Sequence, residues 1–122
     1  MILNIHHAQI TIPKGEETAA REFYCEVLGL REVSKPEPLK NRGGFWLQLC
    51  AFQIHVGTED DVERAKTKAH IAYEVENLES WREKLETRGV KILNGIKIPG
   101  CERFEFRDPF GNRVEFLEKV KR

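Results

Sequence analysis

Four side chains in this sequence have the types and spacing to hold a metal ion: His7, His55, His70 and Glu115. Imidazole nitrogens and carboxylate oxygens suit divalent Zn, Ni, Mn, Co or Fe. Two histidines and one carboxylate facing an open cavity are the smallest set that holds a catalytic metal and leaves room for substrate. His55 and Glu115 lie 60 residues apart, as do Gly29 and Gly89, and His7 and His70 lie 63 apart. A longer loop after the first strand accounts for the three extra residues. A lone strand histidine is more often a core or surface residue than a ligand. Four matched positions under one repeat make the stronger case.

Strands must present these groups. Residues 5–12 read I-H-H-A-Q-I-T-I, and alternation puts His6, Ala8, Ile10 and Ile12 on one face. Ile5, His7, Gln9 and Thr11 take the other, a polar face that suits a lined cavity. Residues 69–75, A-H-I-A-Y-E-V, echo this pattern with His70, Ala72 and Glu74 opposite Ile71, Tyr73 and Val75. In residues 52–56, Gln53 and His55 lie opposite Phe52, Ile54 and Val56. On this reading His6 turns away from the site.

A helix follows each first strand. Ala20, Phe23, Tyr24, Val27 and Leu28 form one apolar stripe, closed by Gly29. Asn77 suits an N-cap, Leu78, Trp81 and Leu85 form the second stripe, and Gly89 ends it. Strands are predicted over residues 30–33, 45–50 and 52–56, and again over 90–93, 103–107 and 113–118. Asp108-Pro109-Phe110-Gly111 makes the last turn. The chain thus reads as two modules, about 1–58 and 69–122, joined by a polar linker. Glu74, Arg103 and Glu105 are further candidates to line the cavity. Trp46, Trp81 and the phenylalanines are most simply core, and Cys101 is a free thiol near the mouth.

Composition narrows the function. Twenty basic and twenty acidic residues cancel, which excludes the basic excess of a nucleic-acid binder. No apolar run approaches the ~20 residues of a membrane span. His6, His7 and Gln9 interrupt any signal-peptide core, so a cytoplasmic protein with reduced cysteines is expected. No phosphate loop, nucleophile elbow or dinucleotide fingerprint is present.

The stretches H-H-A-Q-I-T-I, E-F-Y-C-E-V-L-G-L, A-H-I-A-Y-E-V and D-P-F-G-N-R-V-E-F-L-E span nearly the whole chain. In this order they resemble the vicinal oxygen chelate superfamily of glyoxalases, bleomycin-resistance proteins and extradiol dioxygenases. The resemblance implies a glyoxalase-like α+β fold. Paired βαβββ modules would form a cup-shaped, partly open mixed sheet with helices outside. It places the family's metal positions on His7, His55, His70 and Glu115, and it implies a homodimer and a small-molecule substrate. Glyoxalase I has a glutamate where this chain has His55, and a basic glutathione contact where it has Thr11. The fosfomycin-resistance thiol transferases match at His7, His70 and Glu115, but carry tyrosine where this chain has Glu105.

The expectation is therefore a metal-dependent enzyme that chelates adjacent substrate oxygens, of lyase, isomerase or transferase type. His7, His70 and Glu115 would be ligands, His55 a fourth ligand or proton shuttle, and Glu115 a base. The alternatives are a metal-free, antibiotic-binding protein of bleomycin-resistance type and an Fe(II) extradiol dioxygenase.

Overall fold

The computed structural model describes residues 1–120. The chain forms two compact units, Met1–Val62 and Glu63–Arg122. The first holds β1 (His7–Ile12), α1 (Glu17–Arg21) continuing as a π-helical segment (Glu22–Val27), β2 (Arg31–Val33), β3 (Phe45–Leu49) and β4 (Phe52–Thr58). The second holds β5 (His70–Glu74), α2 (Leu78–Thr87), β6 (Leu93–Asn94), β7 (Cys101–Arg107) and β8 (Arg113–Lys119).

Each unit is an open four-stranded mixed sheet, in the order β1-β4-β3-β2 and β5-β8-β7-β6. The first strand runs parallel to the last, and the other pairs are antiparallel. The repeat extends to register. Gln9 pairs with His55 across β1 and β4, and Ala72 pairs with Glu115 across β5 and β8. His7 pairs with Gln53 as His70 pairs with Arg113. Shifting β1 by 63 residues and β4 by 60 carries one set onto the other. His55 and Glu115 thus hold the same place in two copies of one sheet.

Alternation divides each sheet into an apolar and a polar face. In the first unit Ile12, Phe45, Leu47, Ile54 and Val56 are buried with Ala20, Phe23, Tyr24, Val27 and Leu28 of the helix. Each large side chain so buried contributes roughly 1.5–3 kcal/mol. The helix widens to π pairing, with Leu28 N–H donating to Phe23 O at 2.9 Å. The wider turn puts the adjacent aromatics Phe23 and Tyr24 on one buried side. In the second unit Phe116 centres the core. Its ring lies 5.1 to 5.9 Å from those of Tyr73, Trp81, Phe104 and Phe106.

Several sequence expectations need correcting. The first strand begins at His7, not residue 5, because ladder pairing starts at His7 and Gln53. The strand expected over residues 90–93 is reduced to Leu93–Asn94, paired with Glu105 and Phe104. The polar stretch 57–68 is partly structured. β4 continues to Thr58, and Arg64 is buried, its carbonyl accepting from Arg107 Nη1 at 3.3 Å.

Asn77 stands at the N-cap of α2 with φ 56°, but its side chain caps nothing. Glu118 does so instead, accepting from the backbone N–H of Asn77 and Leu78 at 2.9 and 3.0 Å. A carboxylate suits the positive end of a helix, and one on the neighbouring strand is invisible to a search for local caps.

Candidate functional site

In the first unit the polar face carries an aromatic stack. The His55 ring lies between Trp46, at 3.8 Å and 1°, and His7, at 4.0 Å and 16°. Register explains the arrangement: Trp46 and Gln9 flank His55 on β3 and β1, with His7 two residues before Gln9. His55 is only 6% exposed. That burial, together with the neighbouring imidazoles of His7 and His6, pulls its pKa down to about 4, so the ring is neutral at physiological pH.

The His55 tautomer follows from its partners. Gln48 Nε2 donates to the carbonyls of Cys50 and Phe52 at 2.7 and 3.2 Å. Gln48 Oε1 therefore accepts from Gln53 Nε2 at 3.0 Å, and Gln53 Oε1 faces His55 Nε2 at 2.9 Å. An amide oxygen only accepts, so Nε2 carries the proton and Nδ1 keeps the lone pair.

The second unit shows the opposite choice. His70 Nδ1 lies 2.8 Å from the Lys68 carbonyl, so Nδ1 carries the proton. Nε2 then presents its lone pair 3.4 Å from Glu115 Oε1. In the neutral ring two acceptors face each other, an arrangement that a proton on Nε2 or a metal cation between them resolves, and a histidine held through its other nitrogen is oriented as metal-binding histidines are. Glu115 Oε1 also accepts from Arg103 Nη1 at 2.9 Å, while its Oε2 has no partner among the described residues. Glu105 lies beside Glu115 in the sheet. It accepts from Arg113, which holds its carboxyl below the usual range, and from Arg103 Nη1 at 3.3 Å.

Within the first unit His7 stacks on His55, and within the second His70 faces Glu115. Among the described residues no group of three or more His, Cys, Asp or Glu side chains is placed to hold a metal ion. Arg103 and Glu105, further candidates from the sequence, both lie at Glu115: Arg103 donates to it and Glu105 is its register partner across β7 and β8. Glu74 instead pairs with Lys119 at 3.5 Å on an exposed edge.

His6 departs from expectation. It precedes β1, so strand alternation does not govern it, and its Nδ1 lies 3.0 Å from His7 Nδ1. Trp46 is likewise part of the polar face rather than the core. Its neighbours Phe45 and Leu47 are the buried ones, so alternation alone could have placed it. All three cysteines are free thiols.

His6, His7, Trp46 and His55 line a cavity of about 550 Å³ in the first unit. The loop before β3 shapes its rim. Gly44, at φ +75°, approaches so closely that a Cβ there would meet Val56 O at 2.0 Å. Its N–H donates to Glu17 Oε2 at 3.2 Å, tying the loop to α1.

A family model, that of the Glyoxalase/Bleomycin resistance protein/Dioxygenase superfamily, matches residues 4–116. The chain belongs to this superfamily. Its fold agrees with solved members. A glyoxalase family protein from Bacillus anthracis is 39% identical over 98% of both chains, with a TM-score of 0.90. A glyoxalase/dioxygenase from Nostoc punctiforme is 18% identical, covering 97% of this chain and 92% of that one, with a TM-score of 0.80. The fosfomycin resistance protein FosX from Listeria monocytogenes, solved with Mn(II) and sulfate, is 17% identical over 98% and 93%, with a TM-score of 0.76. The last two show likeness of fold alone. No curated protein matches the chain. No helix among the described residues is long and apolar enough to cross a membrane.

Proposed function

We propose that this superfamily member is a divalent-metal-dependent enzyme acting on a small substrate with adjacent oxygens, by lyase, isomerase or transferase chemistry. One observation carries the reading: the Lys68 carbonyl holds His70 through Nδ1 so that its Nε2 faces the Glu115 carboxylate at 3.4 Å. His70 and Glu115 are the second unit's ligands and His7 is the first unit's. Zn, Ni, Mn, Co and Fe(II) all suit these donors. When bound, the ion supplies Lewis acidity to the substrate oxygens.

The protein's own groups do the rest. Glu115, through the unpartnered Oε2, is the candidate base. Arg103 steadies its Oε1 and offsets part of its charge. His55 is held by Gln53 at Nε2, so its free Nδ1 makes it a proton acceptor or a fourth donor. The protein works as a cytoplasmic homodimer, and light scattering that finds only the 14.2 kDa chain would contradict the dimer.

A second reading has its own observation. Arg103 already supplies Glu115 with a cation, as a metal-free, antibiotic-binding member of bleomycin-resistance type would need. An Fe(II) extradiol dioxygenase is the third, and it would consume oxygen. Elemental analysis of protein purified without a histidine tag separates the first two readings. About one divalent ion per chain supports the enzyme, and no ion supports the binding protein.

A further inference from the structure

The first unit's cavity has a charge bias that the ligand pairs do not explain. Lys35 and Arg42, on the connection between β2 and β3, both line it. No aspartate or glutamate among the described residues does. On the same connection Glu37 is taken by Lys40 at 3.0 Å, and Glu32 on β2 is taken by Arg21 at 2.8 Å. The Arg42 guanidinium makes no hydrogen bond or ion pair among the described residues. The Lys35 ammonium donates to the Gly43 carbonyl at 2.7 Å, and it has further N–H groups to offer.

Two cations therefore face the cavity without a carboxylate, in a chain whose net charge is zero. Such a wall concentrates anions, and a guanidinium fork matches a carboxylate or phosphate. Beside the two cations, Leu39 and Trp46 supply apolar and flat surface, and His6, His7, Gln9 and Thr58 supply polar groups.

We propose that this cavity takes a small organic anion, a carboxylate or phosphate on an apolar or planar body, with Arg42 and Lys35 holding the anionic group. This rests on the proposed function in taking the cavity as the substrate pocket, and it names the substrate class.

The test is calorimetric titration of protein freed of metal on a chelating resin. The probes are benzoate, phenyl phosphate and the neutral benzamide. Both anions are expected to bind at least about tenfold more tightly than benzamide. Arg42→Ala and Lys35→Ala are each expected to weaken the anions by roughly three- to tenfold and leave benzamide unchanged. Lys35→Arg should retain most of the affinity, which separates charge from loop anchoring. The tighter of the two anions identifies the group preferred. Equal affinity for benzamide and the anions, no anion binding up to about 10 mM, or anion affinity untouched by both alanine variants overturns the proposal. Because no metal is present, failure here leaves the metal reading standing, and an empty metal analysis leaves the anion result standing.

Discussion

His55 Nε2 lies 2.9 Å from Gln53 Oε1, and the direction of that bond is set by the carbonyls of Cys50 and Phe52 acting through Gln48. In the metal-free protein at about pH 8, nitrogen NMR should show His55 with its proton on Nε2 and His70 with a proton on Nδ1. Gln53→Leu should release His55 from its tautomer and leave His70 unchanged. It should also cost about 1–2 kcal/mol, because Gln48 Oε1 loses its donor. The same tautomer at both histidines would contradict the derivation.

The buried His55 ring also gives a pH dependence. Its pKa is about 4 in the fold against an ordinary 6.5. Between these values the unfolded chain binds a proton that the folded chain does not, so stability rises with pH across the window. The contribution is complete above about 6.5 and is lost as pH falls toward 4, by an amount on the order of 3 kcal/mol. Urea unfolding of metal-free protein at about pH 7 and pH 5 should show about 2 kcal/mol of this loss, and His55→Gln should reduce it. An identical pH slope in the variant would rule His55 out as its source.

Glu118 caps α2 from the neighbouring strand, so Glu118→Ala should lower stability by about 1 kcal/mol. Asn77→Gly should be neutral or slightly stabilising, because φ 56° suits glycine and the asparagine side chain makes no cap. Thermal unfolding of the two variants checks the assignment. A large loss in Asn77→Gly with none in Glu118→Ala would reverse it.

The repeat was legible because it is written in residue types at fixed spacing. Gly29 and Gly89 close the helices, and His55 and Glu115 mark the same register position. The polar faces followed from alternation wherever the ladder extends. His6 was misplaced because it lies one residue before the ladder, where alternation has no force. The Glu118 cap and the Lys68 carbonyl were not legible. One joins residues about forty positions apart, and the other is backbone, which carries no residue-type signal. The stacking of His7 on His55 and the approach of His70 to Glu115 likewise needed coordinates. Spacing shows equivalence of place, not contact.

In the proposed function His7, His70 and Glu115 hold a divalent ion, which calorimetric titration of the stripped protein with Zn, Ni, Mn, Co and Fe(II) checks. At least one ion should bind at about one per chain. His7→Ala, His70→Ala and Glu115→Gln should each weaken that binding by at least ~10-fold, and His55→Ala by less. Absence of uptake of all five ions by the wild-type chain, or wild-type affinity in Glu115→Gln, would contradict it.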